Sequence, residues 1–122
     1  MDRSQKPTAG RAMIERRKYQ RVEISHPVLY YSDIYPKPKV ASTVDISLGG
    51  ARIETRYSLM KYEGLEISIA IQPQVIKCRG KVMYILNSNA SRLRAGVRFE
   101  DLSWQDSLFL GKYISLITEQ RA

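Results

Sequence analysis

The sequence predicts a mainly β fold, a six-stranded antiparallel β-barrel followed by a C-terminal α-helix. Apolar and polar residues alternate in six short runs, and turn residues such as Gly, Pro and Asn separate the runs. After the sixth run the apolar spacing changes to that of a helix. Six strands with one apolar face each bury those faces and protect their edges by closing into a small barrel.

A period of two assigns an inward face to each strand. A Pro-rich turn at 35–38 separates the first strand from the second, and Gly49-Gly50 connects the second to the third. A loop ending at Gly64 leads to the fourth strand. The predicted inward residues are Val22, Ile24, Val28 and Tyr30, then Val40, Val44 and Ile46, then Ala51, Ile53, Thr55 and Tyr57, then Leu65, Ile67, Ile69 and Ile71, and in the sixth strand Leu93, Ala95, Val97 and Phe99.

The last two strands are rich in cations. The fifth runs from Val75 to Leu86, and we expect Tyr84 and Phe99 to point inward. The basic rows expected on the outer faces are Lys77, Arg79 and Lys81 in the fifth strand and Arg92, Arg94 and Arg98 in the sixth.

A helix is predicted after the barrel. Ser103 is a suitable N-cap, and Asp106 lies in the first turn. The apolar stripe expected to pack on the barrel consists of Phe109, Leu110, Tyr113, Ile114 and Ile117.

The composition of the 122-residue chain indicates one domain that folds without a partner. No apolar run approaches the roughly 18 residues of a membrane span, and the N-terminus lacks the apolar stretch of a signal peptide. We therefore expect a cytoplasmic protein without membrane insertion. Cys78 and His26 are the only residues of their types, so neither a disulfide, a metal site nor a cofactor is expected.

The net charge of +8 is concentrated at the N-terminus, where residues 1–21 contain seven basic and two acidic side chains. Residues 1–15 are polar with few apolar side chains, which predicts a flexible basic arm. Residues 16–122 form the predicted barrel domain. A basic arm favours an anionic partner: nucleic acid, a nucleotide phosphate, an acidic protein or a membrane surface.

One motif lies where the arm meets the barrel and has the form Arg-x-x-x-Arg. Arg17 and Arg21 lie four residues apart, and Arg16 precedes them. Arginine pairs bidentately with the O6 and N7 atoms of guanine, stacks on base faces and clamps phosphates. A solvated basic run is the alternative interpretation of this motif alone.

A second motif, Asp-x-Ser-x-x-Gly, ends the second predicted strand. Asp45 and Ser47 share the outer face of the strand, and we expect both to be presented to solvent. An ionised carboxylate matches the N1–H and N2–H₂ donors of guanine, which adenine lacks. Gly49 and Gly50 permit a positive φ and let a base or phosphate approach the backbone. Simple turn chemistry is the alternative.

With both motifs in this order, followed by the predicted barrel and helix, the chain resembles the PilZ domain family of cyclic di-GMP receptors. The resemblance implies that Arg17 and Arg21 surround the phosphates and the guanine Hoogsteen edge. It further implies that Asp45 and Ser47 contact the guanine beside Gly49 and Gly50.

The same resemblance implies an intercalated dimer of cyclic di-GMP, because an arginine directly before the first motif arginine, here Arg16, favours that form. Gly96 and Arg98 are weaker candidates, since sheet packing and solvation also explain them.

Three classes of function remain to be compared. Catalysis is disfavoured, because the chain has neither a metal-ligand spacing nor a Gly-rich nucleotide loop. A small basic barrel that binds single-stranded nucleic acid is the main alternative, but it needs exposed aromatic residues on the basic face. A nucleotide-free adaptor is disfavoured, because all the motif residues are present. The sequence thus favours a non-enzymatic cyclic di-GMP receptor whose arm reorders on binding and signals to an unidentified downstream protein partner.

Overall fold

The computed structural model describes residues 19–89 and 91–121. The predicted flexible arm (residues 1–15) lies outside the described residues, and so do Arg16 and Arg17. Within them the chain forms seven strands and one helix. These are β1 (Val22–Glu23), β2 (Pro27–Ser32), β3 (Lys39–Ile46), β4 (Gly50–Thr55), β5 (Gly64–Ile71), β6 (Gln74–Asn89), β7 (Arg92–Phe99) and α1 (Trp104–Arg121).

The strands close into an antiparallel barrel, as predicted. Around the ring, β2 pairs with β5, then β6, β7, β4 and β3 follow, and β3 pairs back with β2. The short β1 pairs with the end of β3, so β1 and β2 share one position in a six-stranded ring. In the described residues each of the six positions in the ring therefore has a neighbour on both sides, which leaves no long open edge.

The first predicted strand is interrupted between β1 and β2. Pro27 has no N–H to donate, and the N–H of His26 donates to Thr43 Oγ1 at 2.8 Å instead of entering the ladder. The Thr43 hydroxyl in turn donates to the carbonyl of Ile24 at 2.7 Å. A single buried threonine thus replaces the strand hydrogen bonds that are missing at this break.

A bulge in β3 reverses the predicted faces of its first half. The pairing of β3 with β4 shifts register between Thr43 and Asp45, so one extra residue lies in β3. Before the bulge Val40 is exposed and Thr43 is buried, which is the reverse of the prediction. After the bulge Ile46 lies in the core, as predicted.

A second bulge, in β6, changes the face of Tyr84. The pairing of β6 with β7 shifts between Val82 and Tyr84. Val82 is in the core and Ile85 packs against it, while Tyr84 between them is 40% exposed. The expectation that Tyr84 points inward is wrong, because strict alternation cannot pass through a bulge. Phe99, in contrast, is partly buried against the core.

The helix begins and packs as predicted. The N–H of Asp106 donates to Ser103 Oγ at 3.1 Å, and Leu110 and Ile114 are buried against the barrel. His26 Nε2 and the Tyr113 hydroxyl are hydrogen-bonded at 2.8 Å, which ties α1 to the break between β1 and β2. In the part of the chain described here, no helix is long and apolar enough to cross a lipid bilayer.

Two glycine substitutions should have opposite effects on the free energy of unfolding. A Cβ on Gly50 would overlap the Val97 carbonyl of neighbouring β7, so Gly50→Ala should destabilise the fold by about 1–3 kcal/mol or more. A Cβ on Gly111 in α1 would meet only the Leu48 methyl groups at 3.9 Å, so Gly111→Ala should stabilise it by about 0.5–1 kcal/mol. Urea denaturation of both variants checks this. Equal midpoints would contradict the packing of β4 against β7.

Candidate functional site

A surface cavity of about 290 Å³ lies at the end of the barrel where β3 ends and β4 begins. Both sequence motifs contribute to it, together with two strands that are distant in sequence. Its lining includes Tyr19, Arg21, Ser47, Gly49, Gly50, Arg52, Tyr84, Gly96 and Arg98. We call it the arginine cavity after Arg21, Arg52 and Arg98.

Asp45 lies beneath this cavity and holds two of its arginines. Its Oδ2 atom accepts from Arg52 Nε at 2.6 Å and lies 2.5 Å from Arg52 Nη2. Its Oδ1 atom accepts from Arg21 Nη1 and from the Arg52 backbone N–H, both at 3.3 Å. The hydrogen bonds that Arg52 donates to Asp45 raise the pKa of the Arg52 guanidinium, so that side chain stays charged at every physiological pH.

The expected exposure of Asp45 is therefore wrong, although its face is correct. Asp45 lies directly across from Arg52 in the β3–β4 pairing, while Ile46 fills the core. The carboxylate is nevertheless 0% exposed, because Arg21 and Arg52 cover it. A carboxylate has about four acceptor positions, and here four N–H groups approach them. In this structure Asp45 positions arginines rather than offering free oxygens to a base.

Ser47 is also buried, contrary to expectation, and shapes the turn between β3 and β4. Its hydroxyl accepts from the Gly49 N–H at 3.2 Å and donates to the Gly50 carbonyl at 3.3 Å. Neither glycine has a positive φ, so that expectation is wrong as well. The turn needs glycines for space instead, since a Cβ on Gly50 would overlap the backbone of β7.

Two tyrosines lie over two glycines at this site. A Cβ on Gly49 would stand 2.8 Å from a carbon of the Tyr19 ring, and a Cβ on Gly96 would overlap the Tyr84 ring. Each ring therefore rests on bare backbone. Both rings are about 40% exposed, so they present flat apolar surface at the edges of the cavity.

The structure brings together Arg21, Ser47, Gly49, Gly50, Gly96 and Arg98 from the predicted set. Arg98 also forms an ion pair with Glu100 at 3.4 Å. Sequence reasoning gave no role to Arg52 and misplaced Tyr84. The sequence did contain an indication for Arg52, because a residue two positions after Gly50 lies on the same face of β4 as that glycine. Tyr84 gave no such signal, since its outward direction depends on the bulge.

Most cations in the basic rows on β6 and β7 form ion pairs. Glu54 accepts from Arg92 at 2.8 Å and from Arg94 at 3.0 Å. Arg79 forms a 2.5 Å ion pair with Asp33, and Lys81 lies 3.7 Å from Glu100. Most cations of these rows are therefore held by acids, some of them sharing one carboxylate, which reduces but does not cancel the positive charge offered to a polyanion.

The fold and the cavity together define a small β-barrel domain with an arginine-lined surface site. The PilZ domain family matches residues 15–115, which include both motifs and all seven strands. This chain belongs to the PilZ domain family.

Comparison with individual proteins agrees with this assignment. An uncharacterized protein of Aquifex aeolicus (strain VF5) is 30% identical over 102 residues, which are 83% of this chain and 49% of that protein. The PilZ domain of YcgR from Escherichia coli, solved with c-di-GMP, has a TM-score of 0.70 at 20% identity and covers 87% of this chain and 95% of its own. The Bacillus subtilis inhibitor of motility MotI/DgrA has a TM-score of 0.76 at 16% identity, over 84% of this chain and 51% of that one.

At these identities the solved structures show likeness of fold. The chain spans about half the length of the Aquifex protein and of MotI/DgrA.

Removal of the Asp45 carboxylate should destabilise the domain. Asp45→Ala leaves Arg21 and Arg52 without their shared acceptor and should cost about 1–3 kcal/mol of unfolding free energy. Glu54→Ala is a matched control, because Glu54 also pairs with two arginines but its side chain is 17% exposed against 1% for Asp45, so it should cost at most about 1 kcal/mol. Urea denaturation measures both. An Asp45→Ala variant as stable as the wild type would show that the carboxylate is not structural.

Proposed function

We propose that this chain is a cyclic di-GMP receptor that binds its ligand in the arginine cavity. The observation that carries the proposal is the convergence of Arg21, Arg52 and Arg98 around a turn of bare backbone, in a chain of the PilZ family. The related YcgR domain was solved with this nucleotide. We propose a binding module without catalysis of its own, acting in the cytoplasm.

The guanidiniums supply the chemistry that a guanine nucleotide needs. Arginine donates two N–H groups to guanine O6 and N7, or two to a phosphate. Because Asp45 engages Arg52 through Nε and Nη2, the other edge of that guanidinium stays directed away from the carboxylate. Arg21 is half exposed and makes one longer contact, so it can turn toward a ligand at little cost.

Preference for guanine then follows from the arginines rather than from Asp45. Adenine replaces the O6 acceptor with an N6–H₂ donor, which would face another donor in the guanidinium. Asp45 contributes indirectly, because it fixes where two of the guanidiniums lie. Tyr19 and Tyr84 offer ring faces on which a base can stack.

The size of the cavity supports a role for the arm. About 290 Å³ lies at the lower end of the roughly 300–1,000 Å³ typical of small-molecule sites. Cyclic di-GMP, with its two guanines, is larger than this space. An intercalated dimer of the ligand exceeds it further. We propose that the arm, together with Arg16 and Arg17 that follow it, covers the remaining ligand, so that arm, ligand and barrel form one composite surface for a downstream protein partner.

Single-stranded nucleic acid is the alternative ligand. The exposed rings of Tyr19 and Tyr84 favour it, because a protein that binds single strands needs exposed aromatic side chains on which bases stack. The sequence had not predicted such an exposed position for Tyr84. The ion pairs of Arg79, Lys81 and Arg94 disfavour it, because cations held by acids are less available to bind a nucleic-acid backbone. We therefore retain cyclic di-GMP as the ligand.

Titration calorimetry with cyclic di-GMP tests the proposed site. Arg21→Ala should weaken binding by about 5- to 150-fold, which corresponds to the loss of one bidentate contact worth about 1–3 kcal/mol. Cyclic di-AMP should bind the wild type more weakly by a similar factor. Arg94→Ala is the matched control, since Arg94 lies on β7 with Arg98 but pairs with Glu54. The affinity of this variant for cyclic di-GMP should equal that of the wild type. Tighter binding of a random single-stranded oligonucleotide would favour the alternative.

The number of ligands bound tests the role of Arg16. We expect saturation near two cyclic di-GMP molecules per chain, and a shift toward one in Arg16→Leu, because the second molecule loses a guanidinium that stacks on it. Lys18→Leu removes one charge from the same run and should retain two. If wild type and Arg16→Leu saturate at the same ratio, Arg16 does not hold a second ligand.

A further inference from the structure

Two loops at the other end of the barrel display apolar side chains to solvent. The loop between β2 and β3 (residues 33–38) carries Ile34, which is 61% exposed, and the loop between β4 and β5 (residues 56–63) carries Met60, which is 63% exposed. Tyr35, Tyr57 and Tyr62 are also exposed. We call these two loops the loop platform.

A buried carboxylate holds the two loops together. Glu63 in the second loop is buried, and it accepts from the Ser32 hydroxyl at the start of the first. The other oxygen of Glu63 accepts from the Met60 N–H at 2.8 Å. The Ser32 oxygen in turn accepts from the Ile34 N–H at 3.0 Å. The backbones that carry Ile34 and Met60 are thus fixed to one buried group, while their side chains stay outside.

The backbone of Tyr62 also departs from the usual conformation. Its φ is 72°, a left-handed value that is uncommon for a residue with a Cβ. The Tyr62 N–H donates to the Val82 carbonyl at 2.6 Å, which fixes this conformation. Backbone strain of this kind persists where the surrounding structure holds the residue in place, and the Tyr62 side chain here is 59% exposed.

The charges that remain available on the platform are positive. Its two acids are engaged, since the half-exposed Asp33 forms an ion pair with Arg79 and the buried Glu63 accepts hydrogen bonds from Ser32 and Met60. Four cations accompany the apolar residues, namely Lys37, Lys39, Arg56 and Lys61. The Lys39 ammonium lies 5.0 Å from the Tyr35 ring centre and 5.5 Å from that of Tyr57, and the Lys61 ammonium lies 5.0 Å from that of Tyr62.

We propose that the loop platform is a peripheral docking site for an anionic lipid bilayer. Aliphatic tips enter the acyl boundary, tyrosines favour the headgroup level, and lysines extend to lipid phosphates. The platform has all three kinds of side chain on two loops of one end of the barrel, and its charge is complementary to an anionic surface. Such docking is superficial and requires no spanning segment.

Lipid docking leaves the arginine cavity accessible. The cavity lies at the Gly50 end of β4 and the platform follows Thr55 at the other end, about 17 Å away at 3.3 Å per residue. A chain docked in this way would direct the arginine cavity and α1 away from the membrane. This proposal is independent of nucleotide binding, since no residue is shared between the two sites.

Vesicle sedimentation of the full chain tests the proposal. Vesicles of phosphatidylcholine alone are compared with vesicles in which about a third of the lipid is phosphatidylglycerol, and the full chain should bind only the second kind. The variant Met60→Ser should bind about tenfold more weakly, because an apolar side chain no longer leaves water. The double variant Lys39→Gln/Lys61→Gln should lose about fivefold for each cation removed.

Two controls separate the platform from the basic arm, which stays intact in every variant. Leu116→Ser removes an exposed aliphatic side chain from α1, 51% exposed against 63% for Met60, and Lys77→Gln removes an exposed cation from β6. Both should bind vesicles as the wild type does. Absence of binding to anionic vesicles would overturn the proposal and direct attention to an acidic protein partner. If Met60→Ser bound anionic vesicles as tightly as the wild type, the proposal would also be overturned. The attraction to the vesicles would then be assigned to the basic arm.

Discussion

The buried ion pairs of Asp45 are the interaction on which the arginine cavity depends. One carboxylate connects Arg21, just before β1, with Arg52 on β4. The start of the described chain, the end of β3 and the outer face of β4 are thereby held at one point. Two guanidiniums around one carboxylate leave a net positive charge directly beneath the cavity, and this charge is available to an anion. The acid thus determines where the cations lie, while the cations supply the donors that the proposed binding of phosphate and guanine requires.

Strand alternation predicted the barrel, the helix and most of the core, because a half-buried strand must place its apolar residues two apart. It failed at two bulges, both near the site, and at Tyr57, which was expected to point inward but lies past the end of β4 and is 42% exposed. The bulge in β3 buries Thr43 and exposes Val40, and the bulge in β6 turns Tyr84 out beside Gly96. A bulge inserts one residue without any composition of its own, so the sequence carries no local sign of it. The motifs identified the correct turn, yet they did not indicate that the neighbouring arginines cover Asp45.

The glycines of the site serve the fold and the cavity at once. Gly50 lies against the backbone of β7, while Gly49 and Gly96 lie under the rings of Tyr19 and Tyr84. The close approach of β4 and β7 brings Arg52 and Arg98 to the same cavity. A larger residue at Gly50 would therefore separate the two strands and the two guanidiniums together. This is the physical reason why a short turn motif can shape a cavity whose lining extends over three strands, β4, β6 and β7.

The most direct test of the account is amide hydrogen exchange of the full chain with and without cyclic di-GMP. Exchange should slow at Ser47 to Arg52 and at Gly96 to Arg98, because the ligand covers these residues. It should also slow in the segment from Glu15 to Arg21, because that segment closes over the bound ligand. Residues 33–38 and 56–63 should exchange at an unchanged rate, since they lie at the other end of the barrel. Protection confined to the basic faces of β6 and β7, with none at Ser47 to Arg52, would contradict the account.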